Sequence, residues 1–190
     1  IDEVMGDTNF SEEEKIIAKR MIHTTGDFDY RNIIIFKNDF IGEAKKSILE
    51  KVTIFTDTKM AYTGINKSAL EKAGCELKCY IDDERVFSLS KELGTTRSAC
   101  AVDLAVQDGI DIFVIGNAPT ALFRILELVK EGKANPRFIV GVPVGFVGAA
   151  ESKEYLREFD IPSISTVGNK GGSNVAASII NALLYMVVGR

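Results

Sequence analysis

His23 is the only histidine in the 190-residue chain, and it stands in the run Arg20-Met21-Ile22-His23-Thr24-Thr25-Gly26-Asp27, where the first amphipathic stretch ends. Imidazole is the side chain whose ordinary pKa lies near neutral pH, so a proton transfer that needs one has a single candidate, His23 as general acid or base. A histidine at a helix end can instead do no more than cap carbonyls, at the end where cations are favoured. Arg20 lies three residues back and shares its helical face. Two more cations are unusually placed: Arg97 at a helix start, unfavourable unless something anionic compensates it, and Lys170 inside the loop Gly168-Asn169-Lys170-Gly171-Gly172. Surface solvation explains any one of these positions, whereas a ligand with several carboxylates explains all three together.

Positioning these residues falls to a repeated alternation of short β-branched runs and helical stretches. Ser11 followed by Glu14 is a capping-box signature, and the helix it opens carries Ile16, Ile17, Met21 and Ile22 before stopping near Gly26. Residues 33–36 read as a short extended piece or buried connector, and a helix follows over 40–51 with Asp39 as N-cap. Strands are then predicted over 52–56, 76–81, 110–115, 138–142 and 163–166, alternating with helices around 67–73, after Thr96-Arg97, over 118–130, over 149–159 and along the C-terminus. The fold class is α/β, with a mainly parallel five-stranded sheet covered on both faces. No linker or repeat interrupts the pattern, so residues 1–190 read as a single domain, with 1–50 as an N-terminal helical segment packed on it.

In such a sheet the ligand lies beyond the carboxyl ends of the strands. The loops there are Gly116-Asn117-Ala118-Pro119-Thr120, Pro143-Val144-Gly145-Phe146-Val147-Gly148 and Gly168-Asn169-Lys170-Gly171-Gly172-Ser173-Asn174. Small residues at helix starts let backbone amides face an anion, although each loop alone could be plain turn chemistry. Candidate donors are Asn117, Thr120, Lys170, Ser173 and Asn174, with the amides around Gly145, Gly171 and Gly172. No loop reads G-x-G-x-x-G or G-x-x-x-x-G-K-[ST], so a nucleotide- or phosphosugar-binding α/β protein rests on the glycines alone.

The apolar share of 46% fits a globular chain. No stretch reaches the roughly 18 uninterrupted apolar residues of a membrane helix, since the run 175–188 is broken by Ser178 and Asn181. The first residues lack a signal pattern, and Cys75, Cys79 and Cys100 are an odd number without metal-ligand spacing. We therefore expect a soluble, cytoplasmic protein with no metal site and no membrane partner, its cysteines serving as core residues. A formal net charge of −4 argues against a nucleic-acid partner.

Arg20-Met21-Ile22-His23, Thr96-Arg97-Ser98-Ala99, Gly116-Asn117-Ala118-Pro119-Thr120-Ala121-Leu122, the run from Gly141 to Lys153 and Gly168-Asn169-Lys170-Gly171-Gly172-Ser173-Asn174-Val175 together resemble, in order and spacing, the precorrin-8X methylmutase family, also called cobalt-precorrin-8 methylmutases. The resemblance implies a three-layer α/β/α sandwich, a homodimer with its active site near the subunit interface, and an isomerase of cobalamin biosynthesis. In that reaction a methyl group moves from C11 to C12 of the tetrapyrrole precorrin-8X, or its cobalt form, giving hydrobyrinate or cobyrinate. It further implies no cofactor, a tetrapyrrole substrate as partner, His23 as proton donor, Arg20 as a substrate contact, and Arg97 on a substrate carboxylate or near the migrating centre. Protonating the conjugated ring makes it electron-poor and eases migration of an electron-rich methyl, a general-acid share of about 10²–10⁴ in rate. A tetrapyrrole-binding protein without turnover is the alternative. The family also has a serine-containing segment upstream of the element matched by Ile1-Asp2-Glu3, and the resemblance implies that this segment contributes to the substrate pocket.

Overall fold

A computed structural model describes residues 6 and 8–189; the Ile1-Asp2-Glu3 element lies outside the described residues. Helix α1 (Glu12–Thr25) opens with the complete capping box: the Ser11 hydroxyl accepts from the Glu14 amide, and the Glu14 carboxylate accepts from the Ser11 amide at 2.7 Å. A single turn, α2 (Tyr30–Ile33), leads into β1 (Ile34–Lys37) and α3 (Phe40–Leu49). Then come β2 (Thr53–Thr56), α4 (Lys59–Gly64), α5 (Lys67–Ala73), β3 (Glu76–Lys78), α6 (Glu84–Leu93), α7 (Arg97–Gln107) and β4 (Ile112–Ile115). The chain closes with α8 (Pro119–Lys130), β5 (Phe138–Gly141), α9 (Ala149–Arg157), β6 (Ser163–Thr166) and α10 (Ser173–Val188).

The sheet has six strands, not five, in the order β1-β6-β5-β4-β2-β3. The five expected strands are parallel. The sixth is the short apolar run after α2, which pairs antiparallel with β6 from Ile34↔Thr166 to Lys37↔Ser163 and covers what would be an open edge. Four apolar residues carry no period that separates strand from connector. Residues 1–50 are thus not purely a helical segment, because β1 belongs to the sheet. β3 stops at Lys78 because the chain turns there, with the Asp83 amide bonding the Tyr80 carbonyl at 2.9 Å.

Two helices beyond those predicted have ordinary caps: Thr58 accepts from the Ala61 amide at the start of α4, and Asp83 from the Arg85 amide at the start of α6. Asp39 stands at the N-cap position of α3, as expected, and its carbonyl accepts the Glu43 amide at 3.0 Å, but its side chain caps nothing. The residue takes a left-handed conformation at φ 51, and its carboxylate folds over Gly42.

Alternation along the strands divides the core in two. Ile112, Val114, Phe138 and Val140 pack under α1, α3, α5 and α10, whereas Phe113, Ile115 and Ile139 face α7, α8 and α9. This is the three-layer α/β/α arrangement, with α10 at the centre of one outer layer, packed against α1, α3, α4 and α5. Among the described residues no helix is long and apolar enough to cross a membrane. The chain steps from β2 out to β3, returns to β4 on the other side of β2 and continues to β6. That reversal opens a crevice at the carboxyl ends of β2 and β4.

Phe138 is fully buried and meets Phe40 edge-to-face at 5.6 Å. Phe138→Ala is expected to lower the unfolding free energy by about 3–5 kcal/mol in urea titration; an unchanged value would contradict this packing.

Candidate active site

The crevice between β2 and β4 is filled by the protein itself. Asp57, the residue after β2, is buried, and its carboxylate accepts the backbone amides of Gly116 (2.9 Å), Asn117 (2.8 Å) and Ala118 (2.8 Å). Burial pushes the carboxyl up from its ordinary value, and the amides of Gly116, Ala118 and Asn117 pull it back. The anion expected at this loop from its small residues is therefore internal. Beside it the Thr58 hydroxyl meets the Ser173 hydroxyl at 2.8 Å, tying the start of α4 to the start of α10.

The two later loops are joined by backbone. The Gly172 amide donates to the Val142 carbonyl at 2.9 Å and the Gly145 amide to the Asn169 carbonyl at 3.1 Å. A Cβ on Gly171 would sit on the Val142 carbonyl oxygen, so only glycine permits this approach. The amides of Gly145 and Gly172, read from sequence as ligand donors, are thus engaged inside the protein.

Underneath lies a lysine that sequence reasoning missed. Lys153 of α9 is fully buried, and its ammonium donates to the Lys170 carbonyl (2.9 Å) and the Thr166 hydroxyl (3.1 Å), while Thr166 itself donates to the Lys170 carbonyl at 2.6 Å. Burial, with the like charge of Arg157, lowers the Lys153 pKa to about 8. A lysine in an amphipathic helix reads as solvated, which is why its position at the end of the Gly141-to-Lys153 motif gave no structural signal.

His23 sits in the last turn of α1 with its ring exposed and, among the described residues, without a hydrogen bond or ion pair. It does not cap the helix. Thr25 donates to the Met21 carbonyl at 2.8 Å, and the Gly26 amide donates to the Ile22 carbonyl at 2.8 Å, which leaves the imidazole available. The end of α1 is held to the sheet rim by Lys170, whose ammonium bridges Asp27 (2.6 Å) and Asp29 (2.9 Å). Both carboxyls are held below their ordinary values by that ammonium. The Tyr30 hydroxyl adds a bond to the Gly171 carbonyl at 3.4 Å. His23 is therefore one helical turn from a junction with the last glycine loop.

The other candidates fall into two groups. Arg97 is exposed at the start of α7 and stacks over the Phe87 ring at 4.8 Å. Beside it the Thr96 hydroxyl donates to the Thr120 hydroxyl at 3.0 Å. Asn117 and Asn174 are exposed on the same rim. Arg20 points elsewhere: its guanidinium lies 4.7 Å over the Tyr185 ring, about 18 Å along α10 from Ser173 at 1.5 Å per residue. A cavity of about 390 Å³ between α7 and α8 takes in Thr120 but none of the other candidates. Cys75 and Cys100 are buried and Cys79 half-buried. Among the described residues no cluster of His, Cys, Asp or Glu could hold a metal ion.

A family described as CbiC, precorrin-8X methylmutase, matches residues 1–186. The chain is 50% identical to the cobalt-precorrin-8 methylmutase of Salmonella typhimurium over 89% of its own length and 80% of that protein. It is 44% identical to the cobalt-precorrin-8 methylmutase of Methanocaldococcus jannaschii over 97% and 86%. Among solved structures, the precorrin-8X methylmutase of Thermus thermophilus superimposes with a TM-score of 0.92 at 34% identity, covering 98% of this chain and 91% of that one.

Two substitutions test the internal charges. Asp57→Ala strands three amides and is expected to cost about 3 kcal/mol or more in unfolding free energy; a loss under about 1 kcal/mol would show that the carboxylate does not hold the loop. Folded Lys153 releases its proton near pH 8, whereas an unfolded lysine keeps it to about 10.4. Between those values the folded chain binds fewer protons, so the stability due to this residue rises with pH. Lys153→Met is expected to abolish that rise, measured by urea unfolding at pH of about 7, 9 and 10.

Proposed function

The chain belongs to the precorrin-8X methylmutase family, and from that membership we propose that it moves a methyl group from C11 to C12 of precorrin-8X, or of cobalt-precorrin-8, with His23 as the proton donor. The observation that carries the His23 role is its free ring, the only imidazole in the sequence, one turn from the junction of α1 with the rim loops. The names of the two bacterial and archaeal relatives favour the cobalt form as substrate.

Bond accounting limits what the protein must do. The C11–methyl bond breaks and the C12–methyl bond forms within one molecule, so no external methyl donor takes part. Substrate and product are isomers; the proton given to a ring nitrogen is returned. The remaining tasks are to bind, to orient and to lend that proton, and they need no cofactor. Arg97 has no carboxylate partner among the described residues, which suits it to a substrate acid arm. A second arm would compete with Asp27 and Asp29 for Lys170. The exposed Asn117, Thr120 and Asn174 complete the polar surround, whereas Ser173 and the Gly145, Gly171 and Gly172 backbone act through the loops they hold together, and Arg20, packed on Tyr185, meets a substrate arm only by leaving that ring. We take the working form to be a cytoplasmic homodimer of one domain per chain, with no nucleic-acid partner.

Incubating the protein with either substrate should change the visible spectrum, because migration alters the conjugation. An unchanged spectrum with folded protein and tight product binding would identify a tetrapyrrole carrier instead. His23→Ala should retain hydrobyrinate binding and lose about 10²–10⁴ in kcat; full activity in that variant would remove His23 from the mechanism.

A further inference from the structure

The loop between β5 and α9 ends in two large apolar side chains that touch almost nothing: Phe146 is 91% exposed and Val147 is 88% exposed. Val144 on the same loop, Val167 after β6 and Phe28 between α1 and α2 are also more than a third exposed. These five lie on three segments that the structure ties to one another. Gly145 bonds the Asn169 carbonyl, the Val167 amide bonds the Ile33 carbonyl at 2.8 Å, and Lys170 bridges the two aspartates that flank Phe28. By contrast Ile16, Leu49 and Met60 are exposed singly on separate helices, which is ordinary for a protein surface. Clustered apolar side chains on fixed loops mark a place that something covers.

The surroundings of the cluster indicate what covers it. Its exposed apolar area is on the order of 400 Å², close to the apolar share of the roughly 800 Å² that each partner contributes to a stable protein interface, so the polar groups around it, rather than its area, distinguish a ligand from a second copy. A flat ring is a closer match. The cluster adjoins the segment that follows His23, and polar groups flank it: Lys170 and Asn174 on one side, and on the other Asn117 and Thr120 at the start of α8, where Gly148 packs against Pro119. Apolar centre and polar margin are what a flat macrocycle with carboxylate arms requires.

We propose that Phe146 and Val147 form the apolar seat on which one face of the tetrapyrrole lies, making them specificity-determining contacts for the macrocycle. The inference rests on the family's substrate being this protein's substrate, and it adds the surface that recognises the ring as distinct from its acid arms. Removing the seat should weaken binding of every ring with this face, whatever the metal.

The test is a double substitution, Phe146→Ser with Val147→Ser, which removes only exposed side chains and leaves His23 untouched. Hydrobyrinate binding is followed by the visible difference spectrum, and oligomeric state by sedimentation at the same protein concentration. A Kd at least tenfold higher than that of the unsubstituted protein, with unchanged sedimentation, is the expected result. An unchanged Kd overturns the proposal while leaving the methylmutase reading intact. A weaker Kd accompanied by dissociation of an oligomer also overturns it and assigns the surface to a second copy. Failure of the unsubstituted protein both to bind hydrobyrinate and to convert either substrate overturns the methylmutase reading, and the seat with it.

Discussion

The Asp57 carboxylate accepts three backbone amides from the loop after β4, and the path of the rim depends on that bond set. Charge-assisted bonds to backbone are among the stronger ones a protein makes, and leaving the same amides buried without an acceptor would be costly. Lys153 does the converse on the other side of β5, where a buried cation holds the carbonyl of Lys170. Two internal charges of opposite sign therefore fix two loops, each through backbone atoms that a ligand would otherwise meet. These bonds fix the backbone of the rim, and the amides leading into α8 are closed to an outside anion at the crevice. That closure disfavours a phosphate-binding reading of the glycine loops more strongly than the missing nucleotide motifs do.

Closing off the amides shifts recognition onto side chains. Lys170 already faces two carboxylates, and Asp27 and Asp29 bring negative charge to the end of α1, in a chain whose formal net charge is −4. A polycarboxylate approaching this surface meets little net attraction, and what there is falls off within a Debye length of about 8 Å. Arg97 offers a local cation. The rest of the affinity must come from apolar area, where about 25 cal/mol per Å² applies. An exposed phenylalanine beside an exposed valine is then consistent with the electrostatics, since the polar groups orient a ligand and the apolar tip retains it.

Sequence alone carried the parallel strands, the helix starting at Ser11, the lone histidine at its end and the three rim loops, because each has a local signal: hydrophobic period, capping box, or glycine at a strand-to-helix turn. What it missed has no such signal. β1 (Ile34–Lys37) overlaps the apolar run 33–36, whose identity as a strand comes only from β6 beside it. Asp57 and Lys153 look like ordinary surface charges, and their burial follows from long-range placement against residues 116–118 and 170. At the end of α1 Thr25 and Gly26 bond the Met21 and Ile22 carbonyls, and the exposed His23 ring caps no carbonyl among the described residues. Arg20 shares the predicted face with His23, but its direction is set by Tyr185, which lies too far along the chain for any local pattern to reveal.

The apolar tip gains its effect from the glycines on either side. Gly145 at φ 138 and Gly148 at φ 79 adopt backbone that other residues avoid; Gly145 is bonded to Asn169, and Gly148 stands at the N-cap of α9. The two residues between them are thus presented from a short span fixed at both ends, even though their side chains are free. Ordering a loop on binding opposes affinity by roughly 0.5–1.5 kcal/mol for each side chain immobilised, and a span already held by backbone avoids most of the main-chain share of that loss. The same fixation prevents the tip from folding back to bury its own phenylalanine. A mobile loop could satisfy Phe146 internally; this one holds it outward, next to the segment that follows the only imidazole in the chain.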